Sequence, residues 1–353
     1  MTLKELRQKL EAFPPYVEAG EGYIVDITKA WLDKYVELVK EVDEDEFLKI
    51  ETSKEEVLQK LERVNKMILT GISLFLEGKF TEASNGIYDL FFNLKRSDRI
   101  LIACLPESSE VYYRLRSCES NHLYFKREMF HIPFEARGYV ENQRFSISGY
   151  PCLYFGKSVY GCWEELNRPN IDTLNMAAVK SVSPLALVNL VLPREINSVH
   201  ILCRIPLDIA CSLKVYHTDD YFKPQYIIPQ LVLQCVLRRN QEGGIKLKGL
   251  PDRTIIDGIR YMSSHISDKQ CLFTKKSLFI NYVLPVRQVE KEGLCPQLCR
   301  QFKITEPSSV NIGKIYNEIP VPDEHADPYK KSLFGIMEEK LKVSAMENLE
   351  PVE

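Results

Sequence analysis

The hydrophobic period of this chain changes once, between residues 95 and 111, and that change limits the folds open to it. Before it, apolar residues recur every three or four positions. Val57, Leu58, Leu61, Val64, Ile68, Ile72 and Phe75 form one helical stripe. Ser53-Lys54-Glu55-Glu56 ahead of the stripe is a capping-box pattern, in which a hydroxyl and a carboxylate each satisfy a free backbone N–H. Gly78-Lys79 ends that helix. A second apolar face carries Ile87, Leu90, Phe91 and Leu94, and segments 3–12 and 27–50 also read as helical. After the change, short runs rich in Tyr, Val, Ile and Leu are broken by Gly, Pro and Asn, which is the texture of strands.

The expected strands are 111–116, 144–147, 152–155, 186–191, 199–204 and 278–284, with another at 254–264 interrupted by Gly258. Helices are expected at 158–168, 226–239 and near 331–346. Helices first and strands afterwards indicate an α+β chain, not a doubly wound one. The expected division is a helical accessory domain at 1–105, a sheet domain at 106–304 and a C-terminal extension at 305–353. The stretch 95–110, with Pro106 and a polar cluster, is the boundary between the first two.

A chain of 353 residues, 45% apolar and 27% charged, can bury a sizeable core. Its formal net charge of −3 carries no nucleic-acid signal. The ten cysteines are scattered without CxxC pairs, and the six histidines form no HxH or HExxH cluster, so no metal site is expected. The N-terminus lacks the apolar core of a signal peptide and no run reaches membrane-spanning length. A cytoplasmic protein with reduced thiols is the expectation.

Phosphate-cradling glycine loops are absent, so a bound dinucleotide would have its diphosphate held by side chains. Arginine suits that task because its planar fork donates two hydrogen bonds and keeps its charge. Arg114 and Arg144 are the candidates. Read alone, Arg114 is by default an exposed strand-edge arginine, and Tyr154 is equally a core tyrosine. Trp163-Glu164-Glu165-Leu166 reads as the first turns of a helix, where carboxylates are favoured by the dipole. Ser263 and Ser264 read as a strand-end turn.

The run Arg144-Phe145-Ser146, Gly149, Leu153-Tyr154 and Glu165 resembles the core of the RES domain family, named for its Arg, Glu and Ser. Arg144 precedes Tyr154 by ten positions and Tyr154 precedes Glu165 by eleven, as in that family. Gln143 stands where the family commonly has Gly. Tyr113-Arg114 is similar to the family's opening aromatic–arginine pair. Gly258-Ile259-Arg260-Tyr261-Met262-Ser263 resembles the segment supplying its serine, with Ser264 the alternative. Asn281 and Pro285 resemble the Asn and Pro near the domain's end. The likeness covers about 110–290.

The resemblance implies an ADP-ribosyltransferase-like split β-sheet that consumes NAD+ as a substrate, with no further cofactor, by hydrolysis or phosphorolysis. It implies a toxin checked by an antitoxin or another regulatory protein. It assigns Glu165, Arg144 and Ser263 to catalysis and Arg114, Arg144, Tyr154 and Tyr113 to NAD+ binding, with Glu164 the surface neighbour of Glu165. Transfer of ADP-ribose to a macromolecule and a non-catalytic nucleotide- or partner-binding module are the alternatives. The N-terminal helices are expected to serve homo-oligomerisation, autoinhibition or trigger sensing.

Overall fold

The structure, a computed structural model, describes residues 1–14, 21–93, 102–105, 110–118, 123–245, 254–264, 272, 273, 275–310 and 327–349. Most of the expected boundary at 95–110 and much of the C-terminal extension lie outside the described residues. Helices α1 (Leu3–Lys9), α2 (Ile24–Lys40), α3 (Glu44–Leu48), α4 (Lys54–Leu76) and α5 (Phe80–Tyr88) come first. Strands β1 (Ile102–Leu105), β2 (Tyr112–Ser117) and β3 (Cys152–Gly156) lead to the short α6 (Val159–Glu165). After β4 (Leu174–Ser181) and β5 (Leu185–Leu190) the chain returns to helix in α7 (Val199–Ser212) and α8 (Ile227–Gln241). Then come β6 (Gly258–Met262), β7 (Ile280–Pro285), α9 (Pro296–Gln301), β8 (Phe302–Thr305) and β9 (Ser308–Ser309). The helices α10 (Pro328–Lys331) and α11 (Leu333–Val343) precede β10 (Met346–Asn348). Helices followed by sheet make the chain α+β. Among the described residues no helix is long and apolar enough to cross a membrane.

The chain divides into two compact units. The first comprises 1–103, 142–145 and 188–256, so α7 and α8 join the N-terminal helices although they lie within 106–304. The second comprises 104–141, 146–187 and 257–353, and takes in the C-terminal extension.

In the first unit α4 is central and packs on α2, α5, α7 and α8. Its stripe residues Val57, Leu61, Val64, Ile68 and Ile72 are buried, each worth about 2 kcal/mol by the area it removes from water. Ser53 caps α4 by accepting from the Glu56 N–H at 3.2 Å. Gly71 lets α5 approach, since a Cβ there would stand 3.1 Å from Cδ1 of Ile87.

Segment 199–204, expected as a strand, is the start of α7. Ser198 caps it, and every residue from Leu202 to Ser212 is buried. Its opening, Val199, Ile201 and Leu202, is apolar with two β-branched residues, and so resembles a strand run. Residues 144–147 likewise form a turn and not a strand. The sequence reading missed β4, whose residues are buried on both faces and include Ala177 and Ala178, poor strand formers that break any alternation.

The sheet follows the order β1-β5-β6-β7-β3-β2-β4-β8-β10, with β9 beside β4. The pairings β6–β7, β7–β3, β3–β2, β2–β4, β4–β8 and β8–β10 are all antiparallel. They are uneven in length. Strand β2 pairs with β4 from Tyr112 to Ser117, and β3 with β7 along its whole length. Between β2 and β3 the register is the single pair Tyr113↔Gly156. The sheet therefore opens between these two strands. Tyr112 stacks on Phe155 at 4.7 Å and meets Tyr282 edge-on at 4.7 Å, which holds the opening's base together.

Candidate functional site

The opening between β2 and β3 gathers several of the expected side chains in the second unit. Where the ladder stops, the Tyr154 carbonyl accepts from the Arg114 guanidinium at 2.7 Å. A side chain thus replaces the missing strand partner. The Nε of Arg114 is buried and has no hydrogen-bond partner. Burial lowers the Arg114 guanidinium to about 10, with Arg116 adding to the effect. A half-buried cation whose Nε donor is buried and unused is suited to an anion.

Tyr154 lies on β3, two residues before Gly156. Burial raises its hydroxyl well above the usual phenol range, against a hydrogen bond with Ser146 and the nearby Arg114. Tyr113, on β2, is buried with its hydroxyl unpartnered, and burial raises it too.

Glu165 is the last residue of α6. The helix expected at 158–168 begins at Val159, where Ser158 caps it by accepting from the Gly161 N–H at 2.8 Å, so Trp163-Glu164-Glu165 form its last turn and not its first. Glu164 is corrected as well. It is buried, not a surface residue, and accepts from Arg168 Nε at 2.7 Å while its Oε1 has no partner. Glu165 accepts at 2.7 Å from Nδ2 of Asn281, on β7.

Cys162, one turn before Glu165 on α6, links these groups. Its thiol donates to the Tyr113 carbonyl at 3.2 Å. Burial pushes it up to about 12, with Glu165 acting in the same direction and Arg114 in the opposite one.

Ser263 follows β6 directly and is fully buried, its N–H donating to the Phe279 carbonyl at 2.8 Å. Tyr261, two residues earlier, pairs with Asn281. Ser264 is half-buried.

Arg144 belongs to the first unit. Its fork donates to the carbonyls of Cys211 and Leu213, both at 2.9 Å, and its guanidinium lies 5.1 Å over the ring of Tyr226. It satisfies the C-terminal end of α7, where helix carbonyls lack intrahelical partners.

Sequence reasoning gave no role to Asn281 or Cys162. The signal for Asn281 was present: an amide inside the apolar run Phe279-Ile280-Asn281-Tyr282-Val283 is costly to bury without a partner. For Cys162 there was none.

No family model matches the chain. No solved structure matches it either. Over 310 residues it is 31% identical to a protein of Bacillus subtilis (strain 168) named "Putative toxin YopC". The match takes in 78% of this chain and 64% of that protein, so the chain spans less than two thirds of the length of its curated relative.

Proposed function

We propose that this protein is an NAD+-consuming toxin that cleaves the bond between nicotinamide and ribose. The observation that carries the reading is the opened edge between β2 and β3. There, Arg114 bonds the Tyr154 backbone, and α6 brings Cys162 to the Tyr113 carbonyl and Glu165 to the Asn281 amide. The name of the Bacillus subtilis relative supports the toxin part of the reading. The spacing of Tyr154 and Glu165 supports the chemistry.

Cleavage breaks the C1′–N bond with its electron pair leaving on nicotinamide. The departing ring becomes neutral, so no general acid is required. Positive charge grows on the ribose, as in glycosidic cleavage through an oxocarbenium-like transition state. Glu165 stabilises that charge. Arg114 takes the diphosphate, Tyr154 orients the nicotinamide end, and Ser263 fixes a ribose hydroxyl. Water then bonds to C1′ and releases its proton to solvent, or a phosphate dianion bonds through one of its charged oxygens with no proton lost.

The test is nicotinamide release from NAD+ by purified protein, with and without phosphate, beside Glu165→Ala. Release that falls about 100- to 1,000-fold in the variant supports the reading, and the ribose-side product identifies the acceptor. Turnover by Glu165→Ala at the parent rate would sink it.

A further inference from the structure

We infer that Asn281 is a positioning residue for Glu165; the inference rests on the reading of Glu165 as the carboxylate that stabilises the ribosyl cation. Glu165 ends its helix, where the negative end of the dipole disfavours a carboxylate. Helix electrostatics therefore do not hold it in place. The amide of Asn281, buried at the centre of the sheet, donates to Oε1 at 2.7 Å and fixes that carboxylate oxygen.

The backbone opposite is shaped for that contact. Gly156 pairs with Asn281 on one side and with Tyr113 on the other, so the three form one row across β7, β3 and β2. A Cβ at Gly156 would stand 3.2 Å from Oδ1 of Asn281 and 2.5 Å from Sγ of Cys162. Only glycine leaves space for both. Through Cys162 and Glu165, α6 is seated on this row at two points one turn apart, and the row includes the one pair that joins the two halves of the sheet.

The choice of an amide has a chemical reason. An ammonium or guanidinium against Glu165 would neutralise the charge that has to meet the cationic ribose. A neutral donor fixes one carboxylate oxygen and leaves the charge in place. Displacing a reacting group by about 1 Å costs on the order of a hundredfold in rate.

The test is a double-mutant cycle on NAD+ cleavage with Asn281→Ala and Glu165→Ala. Asn281→Ala is expected to lower kcat about 10- to 100-fold with KM within about threefold of the parent. It is expected to cost nothing further in the Glu165→Ala background, because it acts through that residue. Asn281→Asp preserves the shape and sets a second carboxylate beside Glu165. It is expected to move the acid limb of the pH–kcat profile to higher pH. A purely structural Asn281 would lower both backgrounds by the same factor and leave the profile in place, and either result overturns the inference.

If the parent protein does not cleave NAD+, the functional reading fails, and the side-chain amide of Asn281 in a 15N-labelled sample decides the contact by itself. Its proton resonances are expected to move upfield in Glu165→Gln, and unmoved resonances overturn the positioning.

Discussion

The Tyr35 hydroxyl donates to the Leu202 carbonyl at 2.9 Å, and Pro206 is the reason that carbonyl needs a donor. Proline has no N–H, so a proline in α7 leaves the carbonyl four residues earlier without its intrahelical partner. Tyr35 on α2 supplies one from a fully buried position. Tyr35→Phe is expected to destabilise the protein by about 1–3 kcal/mol, the cost of a buried carbonyl without a donor. Pro206→Ala restores a backbone N–H and is expected to recover part of that loss in the Tyr35→Phe background. Urea unfolding of the four proteins measures the coupling directly.

Arg144 supports a similar experiment at the other end of α7. Its fork engages two carbonyls at once, Cys211 and Leu213. Lysine is a point donor that cannot span both, so Arg144→Lys is expected to lose about 1–3 kcal/mol in urea unfolding. A variant as stable as the parent would show that the fork does not hold this helix end.

The same residue shows how far the sequence could be read. The helical stripe of α4, strands β2 and β3 and the spacing of Tyr154 and Glu165 were all legible, because each depends on local period or short separation. That Arg144 serves the first unit was not. Its partners lie 67 and 69 positions away at the end of a helix whose opening, 199–204, reads as a strand. The burial of Glu164 was hidden for a related reason: a pair of adjacent glutamates does not reveal which one faces the interior until the start of α6 is known. Asn281 was singled out by its likeness to the family's Asn, and a lone amide in an apolar strand needs a partner, but that partner could not be read.

Glu338 on α11 gives a pH dependence. Its carboxylate accepts from the Val159 N–H at 2.7 Å and from the Tyr329 hydroxyl. Burial raises it to about 7, with Tyr329 and Val159 opposing. The native state thus holds this proton more tightly than the unfolded chain. The resulting stabilisation is full below about pH 4.5 and is lost as pH rises through about 7, a change of about 3 kcal/mol. Glu338→Gln keeps an acceptor and cannot ionise. It is expected to match the parent at pH 5 and to exceed it at pH 8 by about 1–3 kcal/mol. Parallel unfolding curves at both pH values would contradict the assignment.

Gly156 separates packing from positioning. Gly156→Ala drives a methyl against Sγ of Cys162, and overpacking of a tight core is expected to cost about 1–3 kcal/mol. Adding Cys162→Ala removes the sulfur and is expected to recover more than half of that loss. The contact at 3.2 Å with Oδ1 of Asn281 remains, so the amide is still pushed off its place beside Glu165. Against Cys162→Ala alone, which already lacks the thiol's bond to the Tyr113 carbonyl, the double variant is expected to unfold at about the same temperature and yet release nicotinamide from NAD+ about tenfold more slowly. Stability and turnover recovering together would mean that the clash with the thiol accounts for the whole effect, and that the distance between Asn281 and Glu165 does not set the rate.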